Sequence, residues 1–464
     1  MKAWELERSV ILNEVPCYNA NDNEVIWEEN ASAPEIAQDN LSRMYWHSQV
    51  PGSRAKESIC LAAIQATENK GMVVEGAMDL IEKGYKAYDD NDMVLLHKLT
   101  YQVFRACDNA AKDENSPYWN QTFYEDFNQY SSAVNFPVKQ LIQFDDHFYD
   151  QQYAGWLAQI IGGAYGTCIE GYTGKNIREK YGEVDKYIRK PNTYNDDITY
   201  ELALLLAYNQ NGKNTTATDI AQEWISRIPT GWSAEDFALR NLKAGIMPPE
   251  SGKFHNPFNE WIGAQRRGAI CGQIYPANSY MAAKCAFMDG SISHYHNGII
   301  GEVFNAVLVS MAFVEKDVNK LLQIAIDATP ENSEYGRVVR YAYRQCLEND
   351  DYIKAWDNCE EKYQRYNWIH AYPNAAAQII ALYYGQGQFT KTLAICGGCG
   401  QDVDCNAAQI ATVLGVCNGS NSIDEYWKSP IGDKLDTYVR GLKQMSIKQL
   451  AQLTVDTAKK IYEY

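Results

Sequence analysis

The sequence predicts an all-α protein, and two observations carry that prediction. Apolar side chains recur on a helical period in several stretches, of which residues 200–208 are the clearest. Strict alternation of β-branched residues, which is typical of half-buried strands, is nearly absent from the chain. A helix-ending signal agrees with this interpretation, because Asn418 and Gly419 directly follow a small-residue helix predicted over residues 406–417.

Residues 1–150 are expected to form a mostly helical N-terminal extension or cap. Within it, residues 1–50 are polar and look irregular, whereas residues 55–110 carry two or three helices. The clearest of these helices are predicted over residues 61–67 and 72–85.

Residues 151–464 are expected to form a larger domain that carries the chemistry. Its helices begin with a glycine-rich stretch, and a turn is predicted over residues 209–214. Thr218 or Asp219 is expected to cap the helix that follows this turn. Besides the first stretch, helices are predicted over residues 200–208, 217–228, 301–315, 318–327 and 406–417.

Charge and composition argue against several classes of protein. The formal net charge is -17 and no Lys/Arg-rich run occurs, so nucleic-acid binding is not expected. No run of about eighteen apolar residues predicts a membrane span, and charged residues interrupt the N-terminus before a signal peptide could form. The 12 cysteines are scattered, several of them within apolar helices, which is typical of reduced thiols. We therefore expect a cytoplasmic protein.

Hydrophobic residues make up 46% of the 464 residues, which is enough for a sizeable core. Tyrosine (33) and tryptophan (11) are frequent. Their rings suit crevices that hold sugars or bases, and they suit helix packing equally well. Composition alone leaves both uses open.

Two acidic clusters, about two hundred residues apart, are the most informative features of the chain. Asp196 and Asp197 stand where a loop runs into the helix predicted over residues 200–208. Asp402 and Asp404 follow a glycine-rich loop in the same way. Carboxylates at two such helix starts can build a site for hard, oxygen-seeking cations. The alternative for either cluster alone is simple capping of the helix by solvated aspartates.

A third carboxylate, Glu170, follows a glycine-rich apolar helix over residues 155–166. Small residues at this spacing let another backbone approach closely. A carboxylate near a helix C-terminus lacks the usual electrostatic preference, which points to a functional reason for it. A surface glutamate is the alternative interpretation.

Residues 255–268 and 289–298 place many polar groups beside glycines, a pattern typical of loops that line a ligand. His294 and His296 lie two residues apart, which does not fit the i,i+4 spacing of a helical zinc site. A lone CxxC motif over residues 396–399 lacks a second pair, so it does not predict zinc either.

Taken in order, five segments resemble the ADP-ribosylglycohydrolase family, which includes the dinitrogenase-reductase-activating glycohydrolases. The family's patterns are a glycine-rich helix followed by Glu, an acidic cluster at a helix start, G-A-x-x-R, a Ser-His segment and G-G-D-x-D-T/C-N. The matching segments here are residues 155–170, 195–198, 263–267, 293–294 and 400–406. The resemblance covers residues 150 to about 420 and leaves the first 150 outside it.

The resemblance implies an all-α ADP-ribosylglycohydrolase-like bundle with one or two Mg²⁺ or Mn²⁺ ions in a cleft. Its metal ligands would be Asn195, Asp196, Asp197, Asp402, Asp404 and Cys405. Its catalytic residues would be Glu170 and Asp402, and contacts to substrate are expected from Gly263, Gln265, His294, Asn297 and Gly298. Asn195 and Cys405 stand where the family often has Thr, and a thiol is a poor ligand for hard Mg²⁺.

The function that follows is a metal-dependent hydrolase that cleaves the glycosidic bond of an ADP-ribosyl group or a related ribosyl conjugate. The partner would be an ADP-ribosylated substrate or a free conjugate. The alternative is a non-catalytic ADP-ribose or nucleotide binder with a degenerate metal site, which the departures at Tyr165, Asn195 and Cys405 favour. Retention of all four aspartates favours the enzyme.

Overall fold

The computed structural model describes residues 1–15, 27–194 and 196–462, with residues 27–30 and 197 described by their backbone alone. Over these residues the chain forms 23 α-helices, four short 3-10 helices and eight strands of two residues each. The eight strands pair into four separate two-stranded antiparallel ladders and build no larger sheet in the described ranges. The prediction of an all-α protein is therefore confirmed.

The N-terminal extension is helical almost from its first residue. Its helices are α1 (Ala3–Asn13), α2 (Trp27–Trp46), α3 (Ile59–Asn69), α4 (Ala77–Asp89), α5 (Met93–Asp108) and α6 (Phe127–Ser132). Strand β1 (Ser48–Gln49) pairs with β2 (Lys56–Glu57), and β3 (Met72–Val73) pairs with β4 (Ala111–Lys112). A 3-10 helix covers Pro117–Trp119.

Two predictions for the extension were wrong. Residues 1–50 are not irregular, because α1 and α2 occupy much of this range. These helices were missed because α1 buries no residue and α2 has no continuous apolar stripe. The helix predicted over residues 72–85 begins later, at Ala77, after the β3 strand and Gly76, which has a positive φ of 68°.

The remaining helices build the body of the molecule. They are α7 (Asp146–Gly166), α8 (Gly174–Tyr181), α9 (Asp197–Asn211), α10 (Ala217–Arg227), α11 (Ser233–Lys243), α12 (Glu250–Lys253), α13 (Gly268–Ile274), α14 (Ser279–Gly290), α15 (Asn297–Ala312), α16 (Val318–Asp327), α17 (Glu334–Glu348), α18 (Tyr352–Tyr363), α19 (Ala371–Gly385), α20 (Phe389–Cys399), α21 (Val403–Asn418), α22 (Glu425–Lys428) and α23 (Ile447–Tyr462). Strands β5 (Tyr172–Thr173) and β6 (Gly400–Gln401) pair, as do β7 (Leu435–Asp436) and β8 (Gln444–Met445). Further 3-10 helices cover Gly212–Asn214, Gln265–Arg267 and Ser420–Ser422.

The predicted helix ends hold in two places and fail in three, one of which is α15, predicted over residues 301–315 and observed over Asn297–Ala312. Helix α16 has the predicted bounds, and α21 ends at Asn418, directly before Gly419, whose φ of 74° suits glycine. Helix α9 runs to Asn211, past the start of the turn predicted at residue 209. The cap of α10 is Thr216, whose hydroxyl accepts from the backbone N–H of Asp219, so the predicted caps lie inside the helix.

Two cores hold the molecule together. The larger one lies in the body, among helices such as α7, α13, α15, α19 and α21. The smaller core joins apolar side chains of the extension, including Trp46 and Leu96, to Phe237 and Trp261 of the body. The expected domain boundary near residue 150 falls inside α7. The extension therefore packs on the body through a shared core.

Close packing of α7 against α21 is what brings the two halves of the site together. A Cβ on Gly162 would overlap the backbone at Ala407, and a Cβ on Gly166 would overlap the backbone of Asp404. Glycine at these positions lets the two helix backbones touch. No helix in the described part of the chain is both long and apolar enough to span a bilayer.

Candidate active site

The loops that carry Glu170 and the second acidic cluster are fastened side by side. Strands β5 and β6 pair Tyr172 with Gln401, and the N–H of Gly171 donates to the carbonyl of Gln401 at 2.9 Å. One short ladder therefore joins the segment that follows α7 to the segment that precedes α21. As a result, Glu170 lies beside Asp402 and Asp404 although more than two hundred residues separate them in sequence.

Three carboxylates meet at this point and all are buried. Glu170 is 8% exposed, and Asp402 and Asp404 are each 4% exposed. The backbone N–H of Asp402 donates to Asn374 Oδ1 at 3.1 Å, and Asn406 Nδ2 donates to the same oxygen at 2.7 Å. Asn374 of α19 therefore anchors the start of α21.

Burial and mutual repulsion alter the protonation of this cluster. Burial, followed by the carboxylates of Asp404, Asp402 and Asp196, raises the pKa of Glu170 well above its ordinary value. The pKa of Asp404 is also raised, by burial and then by Asp402. The carboxyl groups of Glu170 and Asp404 interact directly, so each affects the protonation of the other. Carboxylates this close are stable only when they share protons or bind a cation.

The first acidic cluster reaches the same cleft through Asp196, the residue before α9. Asp196 Oδ2 accepts from Arg266 Nη1 at 2.7 Å. Arg266 is nearly buried, and its Nη2 lies 3.4 Å from Glu235 Oε1. Asp196 is close enough to Glu170 and Asp404 to raise the pKa of both. Asn195 and the side chain of Asp197, two further predicted ligands, lie outside the described residues.

The donor set of the second cluster suits a divalent cation. One ligand atom each from Asp402, Asp404 and Cys405 lies within 4.8 Å of the others, and all three residues are buried. The carboxylate oxygens are hard ligands that fit Mg²⁺ or Mn²⁺. The thiol of Cys405 fits softer ions better than it fits Mg²⁺. A cation bound here would offset the repulsion that raises the pKa values of Asp404 and Glu170.

These residues lie in a cleft of about 1360 Å³. One side of the cleft comes from the body and includes Glu170, Asp196, Arg266, Asp402 and Asp404. The opposite side comes from helices α2 and α5 of the extension and from the segment around β1 and β2. The extension therefore forms part of the cleft that holds the acidic cluster.

Hydrogen bonds hold the extension's side of the cleft in place. Tyr45 of α2 donates its hydroxyl to Asp236 Oδ2 at 2.7 Å, and Arg240 donates to the same hydroxyl. The indole N–H of Trp232 donates to Glu57 Oε2 at 3.0 Å. The rings of Tyr45 and Trp232 meet edge to face, with centroids 5.9 Å apart.

Of the residues expected to contact substrate, only Gly263 lines this cleft. The others are buried in the body and bond to neighbouring protein groups. Gln265 accepts from the Tyr335 hydroxyl at 2.9 Å, and Asn297 donates to Glu260 at 2.9 Å. A Cβ on Gly298 would overlap the backbone of Asn259.

His294, the fourth of these buried residues, is fixed as a neutral imidazole. Its Nε2 accepts from the backbone N–H of Ala264 at 3.2 Å, so its Nδ1 carries the proton toward Ser293 Oγ at 2.7 Å. Burial, then Arg267 and Arg266, lowers the pKa of His294 well below its ordinary value. In this arrangement His294 supports the loop behind the cleft.

Sequence reasoning missed several side chains that shape the site. Arg266 and Asn374 contact the acidic residues directly, Glu235 pairs with Arg266, and Glu57 and Trp232 line the cleft. Arg266 belongs to a segment that was singled out, but two adjacent arginines give no indication of which one faces the cleft. Arg267 faces the core, where it pairs with Asp289 at 2.5 Å.

The family model described as ADP-ribosylglycohydrolase matches residues 145–459, which is more than half of the chain. A solved chain of an ADP-ribosylglycohydrolase-related protein complex is similar, with a TM-score of 0.49 and 16% sequence identity, covering 68% of this chain and 100% of that chain. A search of curated proteins gave no match. The chain belongs to the ADP-ribosylglycohydrolase family.

Proposed function

We propose that the protein is a metal-dependent hydrolase that cleaves the glycosidic bond of an ADP-ribosyl group or of a related ribosyl conjugate. The observation that carries this proposal is the convergence of Glu170, Asp402 and Asp404, all buried, at one point of a large cleft. Family membership supports glycohydrolase chemistry in general. The burial of three acidic groups together is costly for folding and needs a functional reason.

Asp402, Asp404 and Cys405 are the described residues that would hold an ion, and Mg²⁺ or Mn²⁺ fits the two carboxylates. A divalent ion bound there supplies Lewis acidity, which lowers the pKa of a bound water and orients hydroxyl groups of a sugar. Asn374 holds Asp402 in place, because its side-chain oxygen accepts a hydrogen bond from the Asp402 backbone N–H.

Glu170 is the residue we propose to handle the proton. Glycosidic bonds of this kind break through an oxocarbenium-like state, and an attacking water must lose a proton. The raised pKa of Glu170 brings the group closer to working pH, where one carboxyl can both accept and return a proton. Its carboxyl group lies beside Asp404 and Asp402 of the second cluster, whose charges contribute to this shift after burial.

The cleft is large enough to accept a nucleotide-sized conjugate, since typical ligand pockets occupy roughly 300–1,000 Å³. Aromatic and apolar side chains also line the cleft, including Phe104, Trp232 and Trp368. Such surfaces suit a planar base or ring. The partner we propose is therefore an ADP-ribosylated substrate or free conjugate, and no nucleic acid.

The 11 described cysteines are all free thiols, which supports a cytoplasmic setting.

The test is hydrolysis of a panel of Arg-, Ser- and acyl-linked ADP-ribose conjugates, with Mg²⁺, with Mn²⁺ and with a chelator. We expect release of ADP-ribose from at least one conjugate and loss of release on chelation. Glu170→Gln should lower the rate by roughly two to four orders of magnitude, the range of general acid–base catalysis. The metal affinity of Glu170→Gln should stay close to that of the wild type.

A non-catalytic ADP-ribose binder is the second candidate. The ion pair between Arg266 and Asp196 favours the non-catalytic binder, because Arg266 neutralises a carboxylate that was expected to bind metal. The thiol at Cys405 favours it as well. Tight binding of ADP-ribose without turnover of any conjugate, under either metal, would select this function and reject the hydrolase.

A further inference from the structure

Arg266 stands at the side of the cleft where the first acidic cluster lies. It belongs to the 3-10 helix Gln265–Arg267, and it is 6% exposed yet lines the cleft. Its Nη1 donates to Asp196 Oδ2 at 2.7 Å. An arginine keeps its positive charge at all accessible pH values. Asp196 therefore faces a permanent cation supplied by the chain itself.

The surroundings of Arg266 hold the guanidinium in this position. Glu235, a buried carboxylate, lies 3.4 Å from Nη2, and the guanidinium carbon lies 5.3 Å from the centre of the Tyr200 ring. Gly263 leaves the room that Glu235 needs, because a Cβ there would overlap the Glu235 carboxylate. Two carboxylates and an aromatic ring therefore enclose one guanidinium.

The opposite side of the cluster differs in chemistry. There the buried acids Asp402 and Asp404 lie beside Cys405, and the three offer ligand atoms within 4.8 Å of one another. Glu170 adds a further buried carboxyl group to this side. This side gathers the ligands for an ion, whereas the Asp196 side holds a guanidinium.

We infer that the centre takes a single divalent ion, on the Asp402 and Asp404 side, and that Arg266 provides the fixed positive charge on the Asp196 side. This inference rests on the proposed function and narrows its metal requirement to one ion. Arg266 is then a positioning residue, because it fixes Asp196 and excludes a second ion from it. A second divalent ion at Asp196 would lie next to the guanidinium and be repelled by it.

The number of bound ions tests the inference without relying on activity. Mn²⁺ is titrated into metal-stripped protein, and the free ion is followed by its electron paramagnetic resonance signal. We expect one ion per wild-type chain, one for Arg266→Lys, and two for Arg266→Met, which removes the charge but keeps a long side chain. Arg240→Met is the matched control, because Arg240 also lines the cleft but pairs with Asp236.

Substitution of the acids tests the same inference if Arg266→Met does not fold. Asp196→Asn should leave Mn²⁺ affinity within about twofold, whereas Asp402→Asn should lower it at least tenfold. Two ions on the wild type, or loss of binding in Asp196→Asn, would overturn the inference while leaving the metal-dependent hydrolase in place. One ion on a folded Arg266→Met would also overturn it. Absence of Mn²⁺ binding in the wild type would reject both the inference and the proposed metal dependence.

Discussion

The N–H of Gly171 donates to the carbonyl of Gln401 at 2.9 Å, and this bond links the two ends of the candidate site. Gly171 directly follows Glu170, and Gln401 directly precedes Asp402. The positive φ of both residues, 77° and 70°, turns the chain so that each acidic side chain faces the cleft. The geometry of the acids therefore depends on the contact between α7 and α21 that supports this ladder.

Substitution of Gly166 by Ala is expected to disturb that contact. The new methyl group would overlap the backbone of Asp404, which cannot move without shifting the cluster. Overpacking of this kind costs about 1–3 kcal/mol, and metal affinity should fall with it. Denaturant unfolding and a Mn²⁺ titration measure the two effects.

Gly155→Ala, on the same helix, is the control for Gly166→Ala. Its methyl group would meet side-chain ends and no backbone: Gln273 and Val416 at 2.9 Å and Thr412 at 3.7 Å, the last two on α21. A smaller loss of stability and unchanged metal affinity are expected. Equal effects from the two substitutions would contradict the role given to the α7–α21 contact.

Mn²⁺ should stabilise the folded protein, because a ligand that binds only the folded state stabilises it by mass action. At roughly 100 times the dissociation constant the gain is about 2.7 kcal/mol. Asp402→Asn should remove this gain and leave the fold intact, which a melting-temperature titration with and without Mn²⁺ can detect. Asp317→Asn is the control, because Asp317 also precedes a helix but lies at the start of α16. A full Mn²⁺ shift in Asp402→Asn would remove Asp402 from the metal site.

Replacing Cys405 by Thr is expected to raise Mg²⁺ affinity. The hydroxyl is a harder donor than the thiol at the same position of the cluster, and Mg²⁺ prefers oxygen ligands. A gain of about tenfold, or about 1.4 kcal/mol, is a reasonable scale for exchanging one ligand, and calorimetric titration measures it. Cys417→Thr, at the far end of α21, should leave the affinity unchanged. If Cys405→Thr binds Mg²⁺ no better than the wild type, Cys405 is not a ligand.

The sequence predicted the parts of the structure that local patterns specify. Apolar periodicity located α9 and α16, and the glycines of α7 indicated a close backbone neighbour, which proved to be α21. These features depend on residues within one or two helical turns. The sequence did not reveal the extension's first two helices, because α1 buries no residue and α2 has no continuous apolar stripe.

The contents of the cleft were harder to predict because they depend on tertiary packing. Gln265, His294 and Asn297 sit in polar segments that resemble ligand-binding loops, yet inside the body they bond to Tyr335, to the backbone of Ala264 and to Glu260, respectively. Arg266 differs from Arg267 only in which way the 3-10 helix turns each side chain. A buried polar network and a binding site use the same residue types, so their sequence patterns coincide.

Stability should depend on pH through Glu302, which lies in the core next to Arg267 and Asp289. Burial, then Asp289, raises the pKa of Glu302 well above its ordinary value, and Arg267 opposes this only in part. A carboxyl group with a raised folded-state pKa contributes its stability below its unfolded pKa, near 4.3, and loses it as pH rises toward the folded pKa. The wild type should therefore lose stability relative to Glu302→Gln as pH increases from about 4 to 8.

Melting curves of the metal-free proteins across this pH range measure the difference. Glu331→Gln, which changes an exposed glutamate, is the control and should follow the wild type at every pH. If Glu302→Gln and the wild type keep a constant difference in melting temperature, Glu302 does not change its ionisation between the folded and unfolded states in this range.

The extension should contribute to substrate binding, because its helix α5 supplies Phe104 to the wall of the cleft. The Phe104 ring packs on Phe237 of the body, with centroids 5.2 Å apart, and on Tyr45, at 5.8 Å. Phe104→Leu keeps an apolar side chain but removes an aromatic face, which is worth about 0.5–1.5 kcal/mol. KM should therefore rise roughly two- to tenfold with little change in kcat, since the substitution removes binding that substrate and transition state share.

Steady-state kinetics on whichever conjugate the panel identifies would measure this split. Phe123→Leu is the matched control, because Phe123 also belongs to the extension but lines a separate cavity of about 430 Å³ beside Lys70 and His255. It should leave KM unchanged. A fall in kcat at constant KM for Phe104→Leu would mean that the extension acts on the geometry of the acids instead. Of the two substituted residues, only Phe104 lines the cleft that contains Glu170 and Asp402. Equal changes in KM from Phe104→Leu and Phe123→Leu would therefore mean that the extension acts through overall stability.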